Sequence, residues 1–430
     1  MKKLLIAIGL LGVITSCHHN EEEDPADKTS RKTILVYMAA ENNLARFATD
    51  DLNEMKKGSL ELSEDQNLIV YVDRAGSNTS PFLARVKNGE LVDTVFTQET
   101  LAADPSTLES VLRQTREMYP AKSYGLVLWG HASGWIISNN DSISYNQSRS
   151  MKTQQRAYGG STGNNSDSGS GKYWMNIVPM AKAIANGMSN NKLKFIFGDC
   201  CSFGCMEVAY ELRNITEYVL GSPAEVPDMG APFNLIVPKL FLESDNFYEL
   251  VINDYYNYYV DVYNNQGNNY YNSQPGDLAG YSVPLAAIKC NELDNFAQAT
   301  STILGKITDK VNASGTLNLE HAMYYAIYNG YRYSYDICDV LRKNTTTEDF
   351  TLWEASLQKA VPYSIHSRKW MTNFSRLRIE MQDFDAKESD CASVSMFFPS
   401  TIYSNTRPNW NKAIQQFQWN DVIHWEQYGW

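Results

Sequence analysis

The fold of this chain is indicated by the stretch Phe195–Cys205, FIFGDCCSFGC, in which a short apolar run ends in an aspartate and three closely spaced cysteines. The run is one of four, rich in β-branched and aromatic residues, that lie at 33–40, 67–73, 124–130 and 194–198. Such runs predict strands that are buried on both faces of a sheet. Helical patterns at 45–58 and 105–119 separate them, so the alternation predicts an α/β fold with a largely parallel sheet.

Length and charge limit the classes of function. The chain has 430 residues, of which 43% are hydrophobic, and a formal net charge of -12. It can therefore fold as one large or two modest domains. Nucleic-acid binding requires a basic face that displaces counterions from phosphate, so we expect no nucleic-acid partner. A cationic substrate fits this charge better.

The N-terminus has the features of an export signal. Two lysines precede the run LLIAIGLLGVI, which is too short to span a bilayer as a stable helix. The next residues, 14–17, resemble a bacterial lipobox, in which the cysteine is lipidated and becomes the new N-terminus. We expect a signal peptide at 1–16 and a membrane anchor on Cys17; an ordinary cleaved signal that leaves Cys17 free is the alternative.

The residues after Cys17 bear on localisation. Residues 17–31 are highly charged and have no apolar period, which predicts a solvated acidic tether. Such tethers resemble the export signals of surface-displayed lipoproteins in some Gram-negative bacteria. We therefore expect an exported outer-membrane or cell-surface lipoprotein.

The other cysteines suit neither a disulfide scaffold nor a zinc site. They are too few and too unevenly spaced for a scaffold, lying at 200, 201, 205, 290, 338 and 391. A structural zinc site needs four ligands, and none of the six histidines lies near 200–205 in the sequence. The cysteines at 200–205 are therefore better explained as one nucleophilic thiol with neighbouring cysteines that take no part in the chemistry.

Two strand ends carry residues that could form a catalytic site. His131 follows the run at 124–130, and Asp199, Cys200 and Cys201 follow the run at 194–198. Sites in open parallel sheets gather outside the carboxyl ends of the strands. A cysteine between a strand and a helix N-terminus favours a thiolate, and a neighbouring imidazole would activate it. Either residue alone fits a structural role, so the functional interpretation depends on the pair.

Several segments, in this order, resemble the clostripain-like cysteine peptidases, which are relatives of caspases, gingipains and legumain. Residues 36–55 are similar to that family's opening strand and helix, and LVLWGHASGW (126–135) is similar to its histidine motif. FGDCCSFGCMEVAYEL (197–212) is similar to its Asp-x-Cys motif, and GSPAEVPDMGAPF (221–233) looks like the loop after the next strand. The likeness implies a cysteine endopeptidase.

The resemblance also implies the architecture. It leads us to expect a caspase-like three-layer α/β/α sandwich with a mostly parallel central sheet and additional C-terminal elements. The catalytic core would occupy 32–240, and 241–430 would complete the peptidase fold.

The resemblance assigns roles to individual residues. Cys201 falls on the nucleophile position and His131 on the general-base position. The backbone N–H groups of Ala132 and Cys201 would form the oxyanion hole, and Cys200 and Cys205 would be packing residues. The family usually has glycine in place of Ala132 and Leu-Met in place of Ser202-Phe203, which leaves an inactive homologue as an alternative.

Asp199 is the candidate for substrate specificity. Residues i and i+2 of an extended chain point the same way, so Asp199 and Cys201 are expected to project to one side. The family resemblance implies the same role, with Asp228 as a weaker second acid. We expect protein or peptide substrates with Arg or Lys before the scissile bond; the alternative is that Asp199 caps the following helix.

A long polar segment at 137–174 predicts an exposed loop and a precursor form. It is rich in Ser, Asn and Gly, and such backbone is open to proteases. It contains Arg149, Lys152 and Arg156, which are the residue types that an acidic pocket accepts. We expect autocatalytic cleavage there; trimming by other proteases, or no cleavage, is the alternative.

No cofactor or metal is expected in this chemistry. Some relatives need calcium, but the sequence contains no EF-hand-like acidic loop, so calcium stays open. A glycan-binding lipoprotein is a rival interpretation, because the Tyr/Asn-rich segment 253–274 could stack on sugars. A helix followed by a polar loop is the simpler interpretation of that segment.

Overall fold

The structure is a computed structural model, and it describes residues 29–76, 80–97, 100–137, 157–266, 281–307, 317, 319–374, 379–381, 386, 391–406 and 409–428. The strands are β1 (Ser30–Ala40), β2 (Gln66–Arg74), β3 (Phe82–Lys87), β4 (Glu90–Phe96), β5 (Ala121–Ala132), β6 (Tyr158–Ser161), β7 (Tyr173–Met175), β8 (Leu193–Asp199), β9 (Thr216–Gly221), β10 (Leu285–Lys289), β11 (Tyr324–Tyr328), β12 (Tyr331–Asp336), β13 (Tyr363–Ile365), β14 (Met371–Phe374), β15 (Ile379–Met381) and β16 (Ser395–Met396). The helices are α1 (Ala45–Gly58), α2 (Pro105–Met118), α3 (Ile177–Gly187), α4 (Met206–Leu212), α5 (Phe233–Leu240), α6 (Phe247–Gln266), α7 (Leu293–Lys306), α8 (Ile337–Asn344), α9 (Thr347–Ala360), α10 (Trp410–Ala413) and α11 (Asn420–Ile423).

A mostly parallel sheet forms the centre of the molecule. Its strand order is β13-β10-β9-β8-β5-β1-β2-β3-β4. The five strands from β9 to β2 run parallel, and the strands outside them pair antiparallel. The chain passes from β1 to β2 on one side and later returns to β5 on the other. The carboxyl ends of β1 and β5 therefore form a topological switch point, where sites in such sheets lie.

Helices cover both faces of this sheet. Alternate side chains of β1 enter two separate cores, as the period of a strand dictates. Leu35 and Tyr37 pack with residues of α2, α3 and α4, whereas Ile34 and Val36 pack with residues of α1, α5 and α6. The predicted α/β/α sandwich is confirmed.

The strongest local patterns of the sequence gave accurate elements. The helix predicted at 45–58 is α1, and the predicted strands are parts of β1, β2, β5 and β8. The second predicted helix is α2, where Asp104 accepts a hydrogen bond from the backbone N–H of Ser106 as its N-cap.

The chain after residue 240 joins the same sheet. β10 pairs with β9, and β13 pairs with β10. Farther on, the backbone N–H of Ser395 donates to the carbonyl of Gly204 at 3.0 Å, beside the turn that carries Cys201. None of the helices in the described residues has the length and apolar character needed to cross a bilayer.

The expected exposed loop at 137–174 is wrong for its second part. Residues 158–161 and 173–175 form the hairpin β6–β7, and β6 pairs with the end of β5. Tyr158 is fully buried and donates its hydroxyl hydrogen to the carbonyls of Tyr37 and Trp129. The polar composition misled because glycines and small side chains let this backbone pack closely against β5.

The Tyr-rich segment forms the second half of α6 as far as Gln266, and residues 267–274 lie outside the described residues. Tyr255, Tyr259 and Tyr263 of this helix are buried against the sheet. These rings contribute to the core, so they do not form a surface platform for sugars.

Candidate active site

His131 lies at the carboxyl end of β5, and Cys201 lies two residues beyond the carboxyl end of the neighbouring parallel strand β8. Trp129 of β5 is opposite Asp199 of β8 in the ladder. His131 is two residues beyond Trp129, and Cys201 is two residues beyond Asp199 in the turn after β8; neighbouring strands of a sheet lie ~4.8 Å apart. The register therefore brings the imidazole and the thiol to the same edge of the sheet.

The imidazole of His131 is oriented by a residue from β1's end. His131 Nε2 lies 2.7 Å from Asn43 Oδ1. The preceding Asn42 donates to the carbonyls of Ala39 and Gly160 and fixes the turn after β1. Sequence analysis missed Asn43, although it follows a predicted strand by three residues at the edge where sites gather.

The thiol of Cys201 faces the loop that follows β9. Its Sγ lies 3.4 Å from Glu225 Oε2, and it accepts a hydrogen bond from the backbone N–H of Val226 at 3.3 Å. Burial, and after it the Glu225 carboxylate, raises the pKa of Cys201 well above the usual thiol range.

Cys201 lies between a strand and a helix, as expected, but the N-terminus of that helix is not at the thiol. α4 begins at Met206, and Ser202–Cys205 separate the thiol from its first turn. The dipole effect fades within one turn, so it cannot outweigh burial and a carboxylate in contact. Ser202 instead forms a sharp turn with a left-handed φ of 56°, and its N–H donates to Ala224.

The loops after His131 and Cys201 touch at Gly134, which has a φ of +62°. A Cβ there would lie 2.6 Å from the carbonyl oxygen of Ser202 and 3.3 Å from Cys205 Sγ. A carbonyl is backbone and cannot rotate away as a side chain does, so only glycine lets the loops approach this closely.

Replacement of Gly134 with alanine is expected to reduce both activity and stability. The clash costs about 1–3 kcal/mol, and a shift of ~1 Å between the loops would lower kcat/KM about tenfold or more. Gly330→Ala is the control, because Gly330 also has a positive φ, +81°, but open space around its Cβ. Equal melting temperatures and equal activity in the two variants would contradict the close approach.

Asp199 is buried beneath the same edge. Its Oδ2 accepts from the N–H of Ala231 at 3.0 Å, and its Oδ1 accepts from the Tyr255 hydroxyl at 2.9 Å. Its side chain is 4% exposed, and burial raises its pKa to about 6. The helix-cap interpretation is wrong, because the N-cap of α4 is Cys205.

A second buried carboxylate lies near Asp199. Asp51 of α1 is 2% exposed and accepts a hydrogen bond from Trp129 Nε1 at 2.5 Å. A Cβ built on Gly230 would lie 2.8 Å from Asp199 Oδ2 and 3.2 Å from Asp51 Oδ2, so both acids adjoin this glycine. Burial and Asp199 raise the pKa of Asp51. In the sequence, Asp51 could have been recognised as a buried acid because it lies on the apolar stripe of α1.

The remaining predicted site residues lie in different places. Asp228 is in the turn before Gly230, and its charge, after burial, raises the pKa of Tyr263 on α6. Ala132 ends β5 and pairs with Tyr158. Four candidates lie outside the described residues, namely Cys17, Arg149, Lys152 and Arg156. Within the described ranges, no group of three or more His, Cys, Asp or Glu side chains is arranged to hold a metal ion.

Known proteins share this sequence pattern and architecture. The model of the clostripain family, peptidase C11, matches residues 36–423. A secreted C11 cysteine protease from Bacteroides thetaiotaomicron, solved with an irreversible peptide inhibitor, is 26% identical; the TM-score is 0.72, and the match covers 93% of this chain and 100% of that one.

A second solved structure shares the fold. An inactive zymogen C11 protease from Parabacteroides distasonis is 22% identical; the TM-score is 0.69, and the match covers 92% of this chain and 98% of that one. No curated protein sequence matched the chain. Because the family model spans most of the sequence, the chain belongs to the clostripain family of C11 peptidases and is a cysteine peptidase.

Proposed function

We propose that this peptidase cleaves proteins or peptides after Arg or Lys, with Cys201 as nucleophile and His131 as general base. The observation that supports the proposal is the β5–β8 register, in which Trp129 is opposite Asp199, so that His131 and Cys201 each follow by two residues at the carboxyl edge of the sheet. The chemistry is acyl transfer through a thioester.

His131 is set up to receive the thiol proton. An amide oxygen only accepts, so the contact with Asn43 Oδ1 favours the tautomer with its hydrogen on Nε2, in which Nδ1 would be the basic nitrogen. The proton of Cys201 passes to Nδ1, and the sulfur attacks the carbonyl carbon of the scissile bond. His131 then protonates the departing amine, and it later activates the water that releases the acyl group.

Two backbone N–H groups would stabilise the oxyanion. The backbone N–H of Ser133 donates to the carbonyl of Ala157, next to the β5–β6 ladder. In an antiparallel ladder, residue pairs that exchange backbone hydrogen bonds alternate with pairs that exchange none. Ala132 and Tyr158 are therefore a pair of the second kind, and the N–H of Ala132 points away from β6. With the N–H of Cys201 it would form the oxyanion hole.

Specificity would come from buried negative charge at the end of β8. Asp199 is two residues from the nucleophile, accepts hydrogen bonds from two neutral donors and lies near the acid Asp51, so a guanidinium or ammonium group would compensate the negative charge. Arg suits it better than Lys, because a planar fork can bind a carboxylate bidentately. Asp228 would add negative charge at the entrance.

The test is hydrolysis of three fluorogenic peptides that differ only in having Arg, Lys or Gln before the scissile bond. Turnover of the Arg and Lys peptides alone supports the proposal. Equal turnover of the Gln peptide would contradict basic specificity, and no turnover of any peptide would contradict the endopeptidase function.

We also propose that the enzyme is exported and attached to the outer membrane by a lipid on Cys17. The signal-like N-terminus and its acidic tether support this, and the matched Bacteroides protease is described as secreted. Cell fractionation of wild type and Cys17→Ser tests the anchor, because the variant should leave the membrane fraction.

Autocatalytic cleavage between His131 and Cys201 is expected to activate the enzyme. The cleavage candidates lie in 138–156, outside the described residues; Ala157, the next described residue, accepts a hydrogen bond from the N–H of Ser133, two residues after His131. Wild type and Cys201→Ala should be purified in parallel and their termini mapped by mass spectrometry. Cuts after Arg149, Lys152 or Arg156 in wild type alone, with rising activity, are expected. Identical cuts in both proteins, or full activity of an intact chain, would refute autoactivation.

A further inference from the structure

The half-buried thiol of Cys201 contacts Glu225 and Val226 of the loop 222–231, and Glu225 provides the acidic contact. Glu225 Oε2 lies 3.4 Å from Sγ, whereas the N–H and carbonyl of Val226 lie 3.3 Å and 3.8 Å from it. A thiol donates weakly and a carboxylate only accepts, so the hydrogen of Cys201 lies toward Glu225.

This contact is fixed by the backbone. Ala224 accepts from the N–H of Ser202 at 2.9 Å, and Ser222 accepts from the N–H of Gly204 at 2.8 Å. The loop is therefore bonded to the turn on both sides of the sulfur. Such a frame determines where the Glu225 side chain begins, so its approach to Sγ follows from the fold.

The contact opposes the first step of catalysis. An ionised carboxylate next to sulfur disfavours the thiolate. Among the described residues, Cys200 on the same turn, Tyr333 on β12 and Tyr255 on α6 are further titratable groups that interact with this sulfur. His131 is at the carboxyl end of the neighbouring strand β5. Of these, His131 alone can take a proton from the thiol and become positive.

We propose that Glu225 is a charge-sensitive brake on Cys201 and a second specificity residue: its carboxylate binds the thiol hydrogen in the resting protein and exchanges it for a cationic side chain of the substrate. The inference depends on the proposed function, in which Cys201 is the nucleophile and substrates are basic. It adds a second point of discrimination between substrates, at the step where the thiol of Cys201 is released from Glu225.

Substrate geometry supports this exchange. The scissile carbonyl carbon must arrive at Sγ, so side chains next to that bond arrive within reach of a carboxylate that already contacts Sγ. A carboxylate binds a guanidinium through charge-assisted hydrogen bonds, which are much stronger than its bond to a thiol. A neutral side chain of the substrate cannot replace the thiol as the partner of Glu225, so the thiol stays hydrogen-bonded to the carboxylate.

Alkylation of the full chain by iodoacetamide at pH 7 tests the inference. The sulfur forms a C–S bond as the C–I bond breaks, iodide leaves and the thiol proton passes to solvent; mass spectrometry counts the product at Cys201. Wild type alone should react slowly. Addition of methylguanidinium should increase its alkylation rate about fivefold, whereas the neutral isostere methylurea should not change the rate. Glu225→Gln should react about tenfold faster than wild type without any cation and show no further acceleration.

Glu217→Gln is the matched control, because Glu217 lies at the opposite end of β9 and pairs with Lys194. It should react like wild type. The pH midpoint of alkylation should also fall in Glu225→Gln, which a merely structural role would not cause. Equal rates in wild type and Glu225→Gln would overturn the inference.

If Glu225→Gln does not fold, the wild-type experiment still decides, because no acceleration by methylguanidinium would overturn the inference. Failure of the proposed function is a separate result: it would appear as peptide hydrolysis that survives in Cys201→Ala.

Discussion

Replacement of Cys201 with alanine is expected to lower kcat/KM for peptide hydrolysis by at least ~10³-fold, because alanine cannot form the thioester. Cys200→Ala and Cys205→Ala are the matched controls. Both cysteines are 2% exposed and lie in the apolar core, so each variant should lose some stability and keep most of its activity.

Rates should be measured with the Arg peptide on protein that has been checked for folding by thermal melting. If Cys200→Ala were the inactive variant instead, the assignment of the nucleophile would be wrong by one residue. Substantial activity in Cys201→Ala would contradict thiol catalysis at this site.

The Asp199→Asn variant is expected to lose about 10–100-fold in kcat/KM for the Arg peptide, because one charge-assisted interaction with the substrate is removed. The amide fits the site: its oxygen can accept from Ala231, and its NH₂ group can donate to the Tyr255 hydroxyl. The Gln peptide is the control, and its low rate should hardly change. An unchanged preference for Arg in the variant would contradict the role of Asp199.

The pH dependence gives a second test of Asp199. Its pKa is raised to about 6 by burial, so the carboxylate is mostly neutral below that pH and mostly charged above it. Binding of a cation requires the charged form. In wild type kcat/KM for the Arg peptide should therefore rise as the pH passes 6, and Asp199→Asn should lose this rise.

Local patterns predicted the scaffold of the site. The apolar runs at 124–130 and 194–198 became β5 and β8, and residues at their carboxyl ends were identified as candidates before any geometry was known. This worked because burial on both faces imposes a continuous apolar run, and because parallel strands of a sheet end at one edge. The family resemblance then supplied the roles of His131 and Cys201.

Local sequence patterns gave wrong predictions where contacts between distant parts of the chain determine the backbone conformation. The proximity of a helix N-terminus was expected to favour a thiolate at Cys201, but a left-handed turn at Ser202 separates the thiol from α4, which begins at Met206. Residues 157–174 were expected to be an exposed loop, yet β6 pairs with β5 and is buried. In both cases partners distant in sequence decided the conformation.

The sequence by itself determined the α/β alternation, the strand ends and the family, because periodicity and motifs are properties of neighbouring residues. Only the tertiary structure decided which groups surround them. Asn43 reaches His131 across 88 residues, and Glu225 reaches Cys201 across 24. The protonation of the thiol depends on those contacts, since the pKa of a group is set by burial and by the charges within a few ångströms, whatever their separation along the chain.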